Sequence, residues 1–317
     1  MTASLTEKVI RDQFPYWEQA LVQKLPQVRA ETLVVTGCGT SYYLAQALAA
    51  QFNAGGQRAI AVPGAEWARR PGHYLANPGD VLVLGLSRSG TTTETVQAME
   101  ASRRRGWRTM GISCADGTPL LAASDVPVFV PTDPREGIVM SVSASLMLLA
   151  GLRMAGLELG DVVAAGQRGL AQVAAAAGLL KGRGHFVYLG AGANYGIANE
   201  GCLKLQEMSI SYAQSFHPLE YRHGPISLID EGSLAVVLYS ADTGEEEAKV
   251  AADVRAKGAK VLGFGGPGDL VIDLDPAAPG FGLACLPALQ MLGEMLAIQK
   301  GVDSEAPRHL TKVVTLG

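Results

Sequence analysis

Short apolar runs alternate with helical patterns along the first half of the chain. Five of these runs have the length and residue types of buried strands: residues 32–36, 58–62, 81–87, 109–113 and 126–130. Helical patterns lie between or after them, over residues 42–52, 92–105 and 139–155. Apolar strands that alternate with helices are typical of a parallel sheet covered by helices on both faces. We therefore predict an α/β fold for this half.

The second half shows the same alternation. Strands are predicted over residues 186–189, 233–240 and 259–263, and helices over 245–257 and 286–300. An amphipathic helix is predicted over residues 4–24, with Ser4 and Glu7 as a capping box and Pro15 as a break or kink. The Ala-rich stretch 161–180 is predicted to be helical and to join the two halves.

Two segments of the first half recur in the second half at a constant offset. GCGTSYYLA at 37–45 aligns with GAGANYGIA at 190–198, and VLVLGLSRSGTTTE at 81–94 aligns with LAVVLYSADTGEEE at 234–247, both at an offset of 153 residues. A fixed register over such a span indicates an internal duplication. We predict two tandem, doubly wound (flavodoxin-like) parallel-sheet domains of α/β/α layering. The predicted parts are an N-terminal helix at 1–30, a first domain at 31–160, a helical connector at 161–183, a second domain at 184–302 and a tail at 303–317.

A hydroxyl-rich turn follows the strand at 81–87 in the first copy. Residues 87–92, SRSGTT, run into a helix N-terminus, where backbone N–H groups and the helix dipole favour an anion. Residues 39–41, GTS, have the same character, and both loops follow strands at the edge where doubly wound sheets bind ligands. We interpret them as phosphate loops; the alternative is that the Ser and Thr residues act only as N-caps. In the second copy, residues 245–247 are three glutamates that would repel a phosphate, so we assign anion binding to the first copy.

The stretch 199–225 holds the densest group of ionisable side chains. Glu200, Lys204 and Glu207 are spaced to fall on one face of a helix. A polar loop follows, with Glu220, Arg222 and His223. The helix is either an exposed one with a single ion pair or part of a functional site. The equivalent helix of the first copy, YYLAQALAAQF, carries no charge, which favours an active site between the domains: the first copy would hold a phosphate and the second would supply the chemistry.

Composition and charge exclude several classes of function. The net charge is −4, with no basic tract beyond residues 103–105, so we expect no nucleic-acid partner. The four cysteines have no CxxC spacing, which argues against a disulfide framework or a zinc site and fits a reducing cytoplasm. No signal peptide is evident, and the apolar run 138–152 is short for a membrane span, so we expect no membrane partner. Neither a Walker P-loop nor a full dinucleotide fingerprint is present, and we expect no cofactor and no metal.

Five motifs, taken together, resemble the sugar isomerase (SIS) family. They are GCGTSY at 37–42, SRSGTTTET at 87–95, EGCLKLQE at 200–207, EYRHGPISLID at 220–230 and PRHLTKVVT at 307–315. Their order and spacing are similar to those of the isomerase half of glucosamine-6-phosphate synthase, and to the stand-alone tagatose-6-phosphate ketose/aldose isomerases and glucosamine-6-phosphate deaminases. The resemblance runs from residue 37 to the C-terminus and implies two SIS domains, a sugar-phosphate substrate and a homodimer.

The resemblance also implies a role for each matched residue. The phosphate would be held by Thr40, Ser41, Ser87, Ser89 and Thr92, with Gly39, Ser141 and Glu200 elsewhere in the pocket. Glu207 would move a proton between C1 and C2 of the sugar, assisted by Lys204. The partner subunit would lend His223 for ring opening, and Lys312 would form a Schiff base with the open-chain ketose. These residue types suit the chemistry, because one carboxylate can act first as base and then as acid, and a histidine titrates near neutrality.

Three features depart from the synthase pattern. Arg88 and Thr91 stand where the synthase has a glutamine and an acidic residue, and Arg88 would either add charge to the phosphate site or face solvent. The segment at 139–143 lacks the synthase's lysine, which is closer to the stand-alone isomerases. The chain begins Met1-Thr2-Ala3, without an N-terminal cysteine nucleophile, so we expect no glutaminase activity.

The expected function is that of a cytoplasmic isomerase of a hexosamine 6-phosphate. It would convert glucosamine 6-phosphate to fructose 6-phosphate with release of ammonia. One alternative is isomerisation of a non-amino sugar phosphate such as tagatose 6-phosphate, and another is a non-catalytic regulator that only binds a sugar phosphate. The presence of Glu207, His223 and Lys312 favours an enzyme, whereas no motif specifies the sugar.

Overall fold

The computed structural model describes residues 3–76 and 78–313. The strands within these residues are β1 Thr32–Gly37, β2 Ala59–Pro63, β3 Val81–Ser87, β4 Arg108–Ser113, β5 Val126–Phe129, β6 His185–Gly190, β7 Ala213–Phe216, β8 Ser233–Leu238, β9 Lys260–Phe264 and β10 Leu270–Ile272. The α-helices are α1 Leu5–Arg11, α2 Phe14–Val22, α3 Thr40–Ala54, α4 Gly64–Arg69, α5 Thr93–Arg104, α6 Pro119–Ala122, α7 Val142–Met154, α8 Val162–Val173, α9 Ala177–Leu180, α10 Ala193–Ser209, α11 Pro218–Tyr221, α12 Gly244–Ala256 and α13 Phe281–Lys300.

The strands form two parallel sheets with the same topology. The first has the order β2-β1-β3-β4-β5, and the second, read in the matching direction, has the order β7-β6-β8-β9-β10. Numbered within its own sheet, each order is 2-1-3-4-5, which is the flavodoxin-like arrangement. The predicted fold class and the duplication are therefore confirmed.

The central strands are apolar because helices cover both faces of each sheet. Every residue of β1, β3 and β8 is buried, as expected for parallel strands without a solvent face. Strands β7 and β10 and helix α4 were not predicted from the sequence. For the strands the reason is that β7 (AQSF) contains two polar residues and β10 has only three residues, so neither gives a continuous apolar run.

The helix predicted over residues 4–24 is broken at Asp12–Gln13 into α1 and α2. Ser4 caps α1 by accepting a hydrogen bond from the Glu7 amide at 2.9 Å, as the capping-box pattern predicts. Pro15 lies in the first turn of α2, the position where its missing N–H costs least. The predicted break is therefore confirmed.

The described chain forms two compact units. The first unit, which contains the first sheet, comprises Pro15–Glu136, Met140–Glu158 and the described residues from Thr311 onward. The second unit, which contains the second sheet, comprises the described residues up to Phe14, Gly137–Val139 and Leu159–Leu310. In the second unit α8 and α10 both pack against α13.

Helix α13 is the apolar centre of the second unit. By length and composition it could cross a membrane, yet 83% of its apolar window is buried inside the protein. A core helix of a globular unit has the same properties, because it meets other helices on all sides. The prediction placed its start at residue 286; the helix begins at Phe281 and continues through Pro287.

Candidate active site

The first helix of each copy starts in the same unusual way. Gly39, which precedes α3, has φ 55° and ψ −126°, and Gly192, which precedes α10, has φ 55° and ψ −128°. Residues with a side chain rarely adopt this conformation. The two glycines therefore turn each chain sharply from its first strand into a helix at the carboxyl edge of the sheet.

The hydroxyl-rich loop of the first unit is internally hydrogen-bonded. Ser87 Oγ accepts from the Gly90 amide at 3.1 Å and lies 3.1 Å from Thr92 Oγ1. Ser89 Oγ accepts from both the amide and the hydroxyl of Thr91, at 3.2 and 2.9 Å. These bonds shape the turn between β3 and α5 and keep its hydroxyl groups together.

The predicted phosphate ligands lie on two neighbouring elements of the first unit. Thr40 and Ser41 are buried in the first turn of α3, Ser87 is the buried last residue of β3, and Ser89 and Thr92 are half-buried. Strands β1 and β3 are adjacent in the sheet and mark its topological switch point, where such sheets bind ligands. Thr92 precedes α5, but its side chain makes no capping hydrogen bond to the helix, so capping alone does not explain it.

The corresponding loop of the second unit is occupied by a side chain. The buried carboxylate of Glu247 accepts hydrogen bonds from the Ser240 amide at 2.7 Å and from Thr243 Oγ1 at 2.9 Å. Glu245 and Glu246 are exposed. One carboxylate of the glutamate run thus already occupies hydrogen-bond donors of this loop.

A buried charge cluster lies on α10 in the second unit. Lys204 Nζ donates to Glu207 Oε2 at 2.5 Å and lies 3.5 Å from Glu200 Oε1. The side chains of Glu200 and Lys204 are 0% and 1% exposed, whereas that of Glu207 is 22% exposed. The alternative of an exposed helix with one ion pair is therefore wrong, and Glu207 is the member of the cluster that solvent or a ligand can reach.

Close helix packing fixes the backbone around Lys204. A Cβ atom on Gly293 of α13 would lie 3.0 Å from the Lys204 carbonyl oxygen and 2.9 Å from Met208 Sδ. The missing side chain lets α13 approach the turn of α10 that carries the cluster. The lysine and both acids thus project from a rigid element, as a positioned acid–base group requires.

His223 lies apart from this cluster. It is exposed in the turn between α11 and the 3₁₀ turn Pro225–Leu228, and its amide donates to the Glu220 carbonyl at 3.0 Å. Among the described residues, the His223 ring shares no hydrogen bond or ion pair with Lys204 or Glu207. Another histidine, His217, stacks its ring on Tyr195 of the first turn of α10 with centroids 3.9 Å apart.

Lys312 belongs to the first unit and contacts Glu136, a residue that the sequence motifs did not point to. Its Nζ donates to the main-chain carbonyl of Glu136 at 2.7 Å, and its own carbonyl accepts from Arg88 Nη2 at 2.8 Å. The Arg88 side chain is 10% exposed, and its Nη1 lies 3.9 Å from Glu136 Oε2. Arg88 therefore faces a buried carboxylate rather than open solvent.

The Glu136 carboxylate is anchored at the start of α7. Its Oε1 accepts from the amides of Ser141 and Ser143 at 2.6 and 3.0 Å and lies 3.2 Å from Ser141 Oγ. A carboxylate that accepts helix N-terminal amides is favoured by the dipole. Its sequence signal was an acidic residue six positions before a long apolar helix, a pattern that also fits an ordinary cap.

Three side chains in or beside the candidate site have shifted pKa values that lie far from neutral pH. Burial raises the pKa of the Cys38 thiol, between the two glycines of the first loop, and raises the pKa of Cys202 on α10 to about 12. Both therefore remain protonated thiols at neutral pH. The hydrogen bond from the Arg135 side chain lowers the pKa of Asp133, which supports the turn that leads to Glu136.

Comparisons with known proteins identify the family and several relatives. Residues 28–155 and 179–268 match the SIS domain family. Glutamine–fructose-6-phosphate aminotransferase (isomerizing) from Pyrobaculum aerophilum is 30% identical over 315 residues, which cover 90% of this chain and 52% of that protein. The chain thus spans about half the length of the curated relatives it matches.

Solved structures of similar chains cover nearly its whole length. A glucosamine-6-phosphate deaminase from Thermotoga maritima superposes with a TM-score of 0.87 at 30% identity, over 99% of this chain and 100% of that one. A tagatose-6-phosphate ketose/aldose isomerase from Escherichia coli has a TM-score of 0.83 at 23% identity, over 98% and 96% of the two chains. The second likeness concerns the fold alone.

Proposed function

The chain belongs to the SIS domain family, and from that premise we propose that it is a phosphosugar isomerase acting on a hexosamine 6-phosphate. The proposed reaction converts glucosamine 6-phosphate and water to fructose 6-phosphate and ammonia. The names of the aminotransferase and deaminase relatives support a hexosamine 6-phosphate as the substrate. The proposed location is the cytoplasm, and the proposed assembly is a homodimer in which His223 serves the partner subunit.

One observation supports catalysis above the others: Lys204 is buried between two carboxylates, and only Glu207 of the three is partly exposed. A buried ion cluster of this kind adds little to stability compared with apolar residues of the same size. Its presence is therefore better explained by function. A carboxylate that holds a fixed lysine on one side and is open on the other is suited to proton transfer.

In the proposed mechanism each unit has a separate task. The loops at 39–41 and 87–92 bind the phosphate through hydroxyl groups and helix N-terminal amides. After ring opening, Glu207 removes the proton from C2 and returns it to C1, which turns the amino aldose into a C2 imine. Water adds to C2 and ammonia leaves, giving the ketose. Lys204 fixes the Glu207 carboxylate through its 2.5 Å hydrogen bond and balances its charge.

A substrate panel tests this proposal. The protein is incubated with glucosamine 6-phosphate, and fructose 6-phosphate and ammonia are both measured; equal amounts of the two products are expected. Interconversion of tagatose 6-phosphate or another hexose phosphate without nitrogen release would favour the non-amino isomerase. A rise in melting temperature with a sugar phosphate that is never consumed would favour a binding regulator. Absence of turnover with every hexose 6-phosphate would refute the enzymatic function.

A further inference from the structure

Glu136 contacts two residues to which the family resemblance gives different places: Arg88 in the phosphate loop and Lys312 as the Schiff-base lysine. Its carboxylate faces Arg88 of the phosphate loop, and its main-chain carbonyl holds Nζ of Lys312. Arg88 itself donates to the Lys312 carbonyl. The three residues thus form a closed set of contacts within the first unit. From this geometry we propose that Glu136 is a positioning residue that sets the place of Lys312 through Arg88 and the turn before α7.

The burial of Glu136 shows that its position is tightly determined. The residue is 3% exposed, and Oε1 is fixed by the Ser141 and Ser143 amides at the start of α7. These bonds hold the side chain, and through it the carbonyl that accepts the Lys312 hydrogen bond. Lys312 lies on the tail beyond the last helix, outside any regular element, so this carbonyl locates its amine.

The second carboxylate oxygen explains why Arg88 turns toward Glu136. Glu136 Oε2 is buried and accepts no hydrogen bond from the described residues, and the guanidinium of Arg88 lies 3.9 Å away. A buried carboxylate oxygen that accepts no hydrogen bond is stabilised by a nearby cation. Arg88 is therefore drawn toward Glu136, and in that position its Nη2 reaches the Lys312 carbonyl at 2.8 Å.

This inference rests on the proposed function and on the Schiff-base role that the family resemblance implies for Lys312, whose amine would attack C2 of the open-chain ketose. The Nζ–C2 bond forms as the C2 oxygen leaves as water, and cyanoborohydride then delivers a hydride to C2 of the imine. With a proton from solvent on nitrogen, the product is a stable secondary amine that adds the mass of the sugar phosphate less one oxygen atom to the chain. Trapping therefore reports the position of Lys312 directly, without reference to turnover.

The test compares Glu136→Gln with Glu158→Gln, an exposed acid of the same unit. Fructose 6-phosphate at saturating concentration and cyanoborohydride are added, and the adduct on Lys312 is quantified by mass spectrometry. Glutamine can still accept the α7 amides, but it cannot pair with Arg88. We expect the trapping rate and kcat of Glu136→Gln to fall on the order of tenfold, with a smaller change in KM, because misplaced reacting groups lose rate steeply. The Glu158→Gln variant should behave as the parent protein.

Arg88→Gln tests the same connection from the other partner and covers the case in which Glu136→Gln fails to fold. If Glu136 acts on Lys312 through Arg88, the losses in the single variants should not multiply in the double variant. Trapping in Glu136→Gln at the parent rate, or losses that multiply, would overturn the inference. So would an Arg88→Gln variant that raises KM but traps at the parent rate. Failure of the proposed function is distinct: the parent protein itself would then neither turn over nor trap any sugar phosphate.

Discussion

At the scale of single residues, the decisive feature is a lysine with no access to solvent. Lys204 is 1% exposed and contacts carboxylates on both sides along one helix face. Burying its ammonium group is costly unless it is paired, and the two acids provide that pairing. The charge of the lysine and the charges of the two acids therefore stabilise one another. The partial exposure of Glu207 leaves one acid available to a ligand.

Replacing Lys204 by methionine should therefore destabilise the protein strongly. The variant keeps the volume of the side chain but leaves Glu200 and Glu207 without the cation between them. We expect the free energy of unfolding to fall by about 3–5 kcal/mol in urea titrations, as when one partner of a buried pair is removed. The matched control is Lys181→Met, at an exposed loop lysine of the same unit, which should change it by less than about 0.5 kcal/mol. Equal stability of the two variants would show that the cluster carries no buried charge.

The residues of this cluster were predictable from the sequence, whereas their burial was not. The spacing of Glu200, Lys204 and Glu207 defines a common helix face whatever surrounds it. Whether that face meets solvent depends on α13, whose Gly293 lets it approach the Lys204 turn. That contact joins segments about 90 residues apart, which no local pattern encodes.

At the scale of elements, the two copies share one turn and differ in another. Gly39 and Gly192 have nearly identical backbone angles, so the duplication is preserved in the backbone conformation as well as in the amino-acid sequence. The loops after β3 and β8 have diverged: the first keeps a hydroxyl-rich turn, and the second is capped by Glu247. The first copy thus keeps its hydroxyl groups at this turn, and the second has an internal carboxylate in their place.

The turn glycines should be sensitive to alanine although space is available. Among the described residues, apart from the chain neighbours of each glycine, no atom lies within 4 Å of a Cβ placed on Gly39 or Gly192, so the cost comes from the backbone angle alone. We expect Gly39→Ala and Gly192→Ala each to lower the free energy of unfolding by about 1–3 kcal/mol. Gly178→Ala, on helix α9 and equally uncrowded, should be neutral or stabilising by up to about 1 kcal/mol. A similar result for all three variants would contradict the shared strained turn.

The alternation of apolar strands and helices predicted the elements that matter most for the site. Strands β1 and β3 are buried throughout, so their ends and the loops after them could be located from the apolar runs in the sequence. The sequence predicted only in part that Glu247 fills the loop of the second unit. Three consecutive glutamates mark the loop as unsuited to phosphate, but which of them turns inward depends on the fold.

At the scale of the whole molecule, two units of one topology carry different side chains in the loops after their third strands. The matching order of strands gives each unit a switch point at the same place in its sheet. The repeat at an offset of 153 residues was sufficient to predict this architecture. The contacts of Glu136 with Arg88 and Lys312 were not predictable, because they join residues up to 224 positions apart.

In the proposed reaction Glu207 moves a proton between C1 and C2 of a sugar phosphate. The most direct measurement follows by NMR the entry of solvent deuterium into C1 of fructose 6-phosphate in D₂O, with ammonium present, for the parent protein and for Glu207→Gln. We expect the parent to exchange C1 and the variant to be slower by roughly 10²–10⁴-fold. The exposed helix variant Glu246→Gln should exchange at the parent rate. Exchange by Glu207→Gln at the parent rate, or no exchange by the parent protein, would contradict the proposed role of Glu207.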